Sequence, residues 1–325
     1  MMGSAASETL RKLVALWEQP QRTRLLATAI ILLLPGALFC AASQAQELTP
    51  RVYWPSPKGT RLLSVGYSYV TGDTIPDPTL PITAVNSDIG TLHLGYLQTF
   101  SLLDRTTNVV FEIPVSDGDT EGEGIAGRKV KVDYSGIGDV TATVSVNLMG
   151  APSMTPEEFA ELRRNPHPIL GASLKVVAPT GDYDSDKVIN IGANRWAARA
   201  ELGYILPLRP RWLLEVELGG WFFEDNSDFL GFKRKQDPIF AMDLHLIRRF
   251  RPGFWGSLDL SAYRGGRTRI EGRKLDDLQR DAKGGFTLLY SYAKKNAVKF
   301  SYSKGSLNDS SEDFDTFALS YQRLF

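Results

Sequence analysis

Cysteine is nearly absent: Cys40 is the only one in 325 residues. It sits in an N-terminal apolar stretch, and everything downstream lacks a thiol. Disulfides, thiolate nucleophiles and cysteine metal sites are excluded there. A surplus of either charge is missing too. Lys+Arg and Asp+Glu both number 37, so no basic excess points to nucleic acid. Only one long apolar run exists, Leu25 to Phe39. A bundle of membrane helices needs several runs of about 20 such residues, and that architecture drops out. Gly-x-Ser-x-Gly, His-Glu-x-x-His and phosphate-loop motifs do not occur. The α/β-hydrolase, zinc-protease and nucleotide-binding classes that they mark have no support, and no cofactor is implied.

The run from Leu25 follows Arg22 and Arg24 and contains Pro35-Gly36. It is short for a spanning helix and suits the apolar region of a signal peptide. Ser43-Gln44-Ala45 places small residues at −3 and −1 of a cut before Gln46. Phe39 stands before Cys40, where a lipoprotein signal needs a small residue. The expectation is a cleaved signal over residues 1–45 and one domain over residues 46–325; the alternative is a lone N-terminal anchor helix.

What the remainder has is a period of two. Leu63, Val65, Tyr67 and Tyr69 alternate with Ser64, Gly66 and Ser68. The same alternation returns near residues 92–96, 109–115, 140–148, 170–176, 196–204, 212–218, 240–246, 258–262, 286–292, 298–302 and 317–321. About twelve strands of roughly ten residues fit an all-β, antiparallel transmembrane barrel. Short turns near Leu103, Arg209, Pro252 and Lys295 alternate with long polar segments, among them Ser116 to Ser135, Asp225 to Asp237 and Gly266 to Ala282. Short periplasmic turns and long external loops are the outer-membrane pattern. One periplasmic connection differs. Thr155-Pro156-Glu157-Glu158 reads as an N-cap, a proline at N1 and a capping-box glutamate, and Asn165-Pro166 ends the helix. Phe159 and Leu162 are expected to pack on the barrel rim, as a structural cap rather than a gate.

Alternation also assigns the faces. An arginine facing lipid at the bilayer midplane costs ~2–4 kcal/mol, so the charged phase must point inward. The inward set comprises Glu112, Lys175, Arg199, Glu201, Glu215, Glu217, Asp243, His245, Arg249, Asp259 and Lys299. A soluble β-sandwich would invert the faces, and alternation alone does not separate the two. Export, aromatic strand ends such as Trp196, Trp212, Phe222 and Tyr292, and the C-terminal strand ending in Phe325 favour the barrel. Phe325 is the expected signal for the barrel-assembly machinery. Asp243 and His245 beside Glu215 and Glu217 could hold a metal; a hydrogen-bonded ion network is the reading preferred. His93 and His245 point inward and His167 is periplasmic, which disfavours a barrel enzyme acting on lipid.

Three stretches carry a resemblance. Pro57-Lys58-Gly59-Thr60 runs into Leu63-Ser64-Val65-Gly66-Tyr67; Phe159 to Arg164 precedes Asn165-Pro166-His167; Ala178-Pro179-Thr180-Gly181-Asp182-Tyr183 continues to Asn190-Ile191-Gly192-Ala193-Asn194-Arg195-Trp196. They resemble the outer-membrane transporter family labelled meta-pathway of phenol degradation. The resemblance spans nearly all of residues 46–325 and implies passage of hydrophobic or aromatic compounds across the outer-membrane lipid. It transfers no site residues. In the third stretch Gly181, free to take positive φ, stands in a turn expected to shape an external loop, the alternative being a loop folded in to line the entrance. The leading expectation is a channel; a structural or surface-display barrel is the rival.

Overall fold

The computed structural model describes residues 48–74, 85–123, 129–305 and 313–325. The signal-peptide reading of residues 1–45 lies outside the described residues. The strands are β1 (Arg61–Gly72), β2 (Val85–Leu102), β3 (Arg105–Glu123), β4 (Lys129–Ile137), β5 (Thr141–Met149) and β6 (Ile169–Val177). They continue as β7 (Ala197–Arg209), β8 (Trp212–Phe223), β9 (Asn226–Phe229), β10 (Phe232–Gln236), β11 (Ile239–Arg251) and β12 (Phe254–Gly265). The last are β13 (Thr268–Ile270), β14 (Arg273–Lys274), β15 (Gln279–Ala293), β16 (Asn296–Gly305) and β17 (Phe314–Leu324). Twelve of them close into an antiparallel barrel. Each barrel strand pairs with the barrel strands before and after it in the chain, and β1 joins β17 from Leu62↔Leu324 to Gly72↔Phe314. Closure leaves no edge for lipid to meet.

The strand after β3 is broken. The lower part of β3, Thr107 to Glu112, pairs with β5, and its upper part, Val115 to Glu123, pairs with β4. Pro114 lies between and has no N–H for the ladder; its carbonyl accepts from the Gly138 N–H instead. The segment Ser116 to Ser135, expected as a loop, is therefore largely a hairpin. The expected loops after β8 and β12 likewise contain β9, β10, β13 and β14, a separate four-stranded sheet. Sequence periodicity missed β9, β10, β13 and β14 because strands of two to five residues are too short to show a repeat.

Burial settles which way the barrel is turned. Leu202, Leu218, Leu258 and Leu319 are 54%, 57%, 64% and 55% exposed, whereas Glu215, Asp243 and His245 are 0%, 2% and 1% exposed. Leucine outside and carboxylate inside is stable only if the surroundings are apolar. The sandwich is rejected. Leu202→Arg should accordingly lower folding stability in lipid by ~2–4 kcal/mol. Ala197→Arg, on the same strand but facing inward, should cost less. Denaturant titrations in vesicles compare the two, and equal losses would contradict the facing.

Helix α1 (Pro156–Arg164) has the expected capping box, with the Thr155 side chain accepting from Glu158 N–H and the Glu158 carboxylate accepting from Thr155 N–H. Glu157 and Glu158 start it and Arg163 and Arg164 end it, each charge complementing the helix dipole. The Arg164 guanidinium beside Glu161 holds that carboxyl below its ordinary value. Leu162 is buried and Phe159 half-buried, in one cluster with the strand-end residues Ile169, Ile205 and Leu213 and with Tyr53 and Trp54 of the N-terminal segment.

Candidate functional site: the barrel interior

The floor of the interior is hydrophobic. Ile169, Ile205, Leu213, Ile247 and Trp255 occupy the inward phase at the periplasmic ends of five strands, and all are buried. Tyr53 and Trp54 from the N-terminal segment fill the space between them, with Met154 and Leu162 below. Tyr53 is fully buried, its hydroxyl donating to Glu201 Oε1 at 2.8 Å and lying 2.9 Å from Ser173 Oγ. Asn147 donates to the Tyr53 carbonyl at 2.9 Å. Room for the ring comes from Gly171 and Gly203, where a Cβ would collide with it. Arg51 takes φ 72° and donates its backbone N–H to Glu215 Oε2 at 2.5 Å. Its guanidinium lies between the faces of Trp54 and Trp255, at 5.0 and 4.8 Å. Burial pulls the Arg51 guanidinium down from its ordinary value, and the Glu215 carboxylate opposes that shift.

Above the floor stands a charged wall from β7, β8 and β11. Arg199 forms ion pairs with Glu201 and with Asp243, the latter at 2.7 Å. Glu217, opposite Asp243 in the ladder, completes a group of three carboxylates whose oxygens lie within 4.8 Å. Those carboxylates have the hard-oxygen chemistry for a divalent cation, but Arg199 already holds two of them. Beside them His245 Nδ1 lies 2.8 Å from Asp259 Oδ1, and Asp259 Oδ2 accepts from Thr287 at 2.9 Å. A buried cation with two carboxylate partners offsets part of the desolvation that each carboxylate would otherwise suffer.

The rest of the interior is open. A cavity of about 860 Å³ is bordered by β1, β2, β3, β5, β6, β7, β8, β15, β16 and β17 and by the N-terminal segment. Its apolar lining includes Val70, Ile89, Val110, Trp221 and Phe223, and its polar lining includes Ser68, His93 and Ser301. Ser68 Oγ lies 2.8 Å from His93 Nε2, and His93 Nδ1 lies 3.0 Å from Glu112 Oε1. At the outer end, Arg195 is 2% exposed, bonded to Gln236 and 4.6 Å over the Phe223 ring.

The external loop between β6 and β7 is folded onto this entrance, and Ile191, Ala193 and Arg195 line the cavity. Asp139 holds it, accepting from Gly181 N–H at 2.8 Å and from Ala193 N–H at 2.9 Å. Gly181 is not at positive φ. Glycine stands there because a Cβ would press on Gly138 and Gly192 at 2.8–2.9 Å. Asn194 takes the left-handed turn instead, at φ 51°. In the loop's tip the Asp186 backbone N–H, with Lys187 beside it, holds Asp184 below its ordinary value. Asp139→Ala removes both anchoring acceptors, each worth ~1–3 kcal/mol when its donor is left buried. Protease cleavage within residues 182–194 of the folded protein should become much faster, and an unchanged rate would refute the anchoring role.

A family model described as "Putative MetA-pathway of phenol degradation" matches residues 71–322. The chain belongs to this family. No curated protein matches it. Among solved structures, the COG4313 outer membrane channel from Pseudomonas putida F1 is similar, with 24% identity and a TM-score of 0.67. The match covers 86% of this chain and all of that one. The transport unit of the autotransporter AIDA-I from Escherichia coli is similar at 9% identity and a TM-score of 0.50, covering 86% and 93%. Fold, family and lipid-facing surface together place this phenol-degradation family member in the bacterial outer membrane as a β-barrel.

Within the family member, the inward candidates separate into three groups. Glu112, Lys175, Arg199, Glu201 and Lys299 border the cavity. Glu215, Glu217, Asp243, His245 and Asp259 are buried and do not. Arg249 is at the periplasmic mouth, donating to the Arg163 and Pro210 carbonyls. The N-terminal segment went unread in the sequence. Its signal was present in the inward phase, which turns apolar at Ile169, Ile205, Leu213, Ile247 and Trp255 and so demands an apolar partner.

Proposed function

We propose that the barrel admits small hydrophobic or aromatic compounds through the outer membrane. The observation that carries this reading is the 860 Å³ cavity, walled partly by Trp221, Phe223, Ile89 and Val110. A pocket of that size with apolar walls and a few polar groups suits one small organic molecule. Passage requires no reaction, and in this role the chain is not an enzyme. Lipid surrounds the barrel, and the strand ending in Phe325 serves as the assembly signal. Residues 1–45 serve export, so the mature protein's intact mass should begin at Gln46. Uptake of radiolabelled naphthalene by intact cells tests the passage itself. Cells carrying the protein should take it up several-fold faster than cells lacking it. Equal rates would sink the reading and favour a structural barrel, which the closed floor also suits.

A further inference from the structure

We propose that Ser68, His93 and Glu112 form a hydrolytic centre in the cavity wall that cleaves small carboxylic esters. The three side chains come from the neighbouring strands β1, β2 and β3, all in the inward phase. His93 stands opposite Gly66 on one side and Pro114 on the other. Its ring therefore reaches diagonally, two residues along each neighbour, to Ser68 and to Glu112.

With a carboxylate at Glu112 and a neutral His93, the hydrogen bonds fit one set of proton positions. An ionised Glu112 can only accept, so the His93 Nδ1 it contacts carries the hydrogen. In neutral imidazole the other nitrogen is then an acceptor, and the Ser68 hydroxyl must donate to Nε2. That tautomer is the one a general base needs. The distances, 2.8 and 3.0 Å, are within reach for both proton transfer and ring orientation.

Access separates this group from its nearest analogue. The side chains of His93 and Glu112 are 28% and 29% exposed, and both border the cavity with Ser68. His245 and Asp259 make a similar pair but are 1% exposed, and among the described residues no hydroxyl meets the other nitrogen of His245. Ser68 also has space beside it. Its partner on β17 is Ala318, and its partner on β2 is Thr91. A methyl group on one side leaves room for an acyl chain. On the other, the Thr91 hydroxyl lies 2.9 Å from Ser116 Oγ. It can accept from Ser116 and donate to an oxyanion formed over Ser68.

The reaction needs no cofactor. Ser68 Oγ adds to the ester carbonyl carbon while its proton passes to His93 Nε2. The bond from that carbon to the alcohol oxygen breaks, and the alcohol leaves with the proton. Water then adds to the acyl group, giving a proton to the same nitrogen. The acid departs as Ser68 Oγ regains that proton. Facing inward, the centre acts on molecules that enter the cavity and not on membrane lipid.

The full-length protein, purified from outer membranes in detergent, would be incubated with 4-nitrophenyl butyrate and separately with a fluorophosphonate. Peptide mass spectrometry should find the phosphonate on Ser68. Hydrolysis should fall by a factor of about 100 or more in Ser68→Ala and in His93→Gln, with the unheated gel mobility of a closed barrel retained. Glu112→Gln should also slow hydrolysis, because an amide can present a donor to Nδ1 and release the tautomer. Absence of label from Ser68, or equal hydrolysis by wild type and Ser68→Ala, would overturn the proposal. The three side chains would then be a hydrogen-bond chain and nothing more.

Discussion

Removing residues 48–54 should raise single-channel conductance several-fold without opening the barrel ring. The segment fills the floor, where Tyr53 and Trp54 pack among Ile169, Ile205, Leu213, Ile247 and Trp255. The ring does not depend on it, because β1 pairs with β2 and β17 alone. The variant should therefore keep the gel mobility of a closed barrel and lose its barrier to ions. Stability should fall as well. Burying one large aromatic side chain in a packed core is worth ~3–5 kcal/mol against alanine, and Tyr53 also donates to Glu201. Gly203→Leu offers a subtler version, since a side chain there enters the space of the Tyr53 ring. Planar-bilayer recordings measure both variants. Conductance equal to wild type in the deletion would mean that the barrier lies elsewhere, in the outer loops or in the charged wall.

The second large effect belongs to Arg199. Its side chain is 12% exposed, and the carboxylates of Glu201 and Asp243 that it contacts are 6% and 3% exposed. Arg199→Met would leave those two and Glu217 clustered without a cation. Breaking a buried pair in this way costs ~3–5 kcal/mol, most of it from the stranded charges. The loss should appear as a lower midpoint in urea titrations in vesicles. Glu217→Gln combined with Arg199→Met should recover part of it, because one stranded charge is gone. By contrast, Lys131→Ala, which breaks an exposed pair with Asp119 at 3.0 Å, should shift the midpoint little. A small loss in Arg199→Met with no recovery in the double variant would show that water already screens the wall.

Sequence by itself determined the barrel strands, their faces and the helix cap. Lipid outside and polar groups inside impose opposite chemistry on successive residues, and a one-residue slip would expose Arg199 or Glu217 to hydrocarbon. The capping box of Thr155 and Glu158 is local, so its residues are adjacent in the chain. Tertiary structure decided three other things. The destination of Leu48 to Trp54 depends on glycines at 171 and 203, more than a hundred residues away, that make room for one ring. The short strands of the outer sheet, such as β9 and β13 at four and three residues, are too brief for a period to announce them. The relay from Ser68 through His93 to Glu112 exists only because pairing sets β1, β2 and β3 in one register. Alternation says which side of the sheet a residue faces; only the ladder's hydrogen bonds say which residue stands beside it.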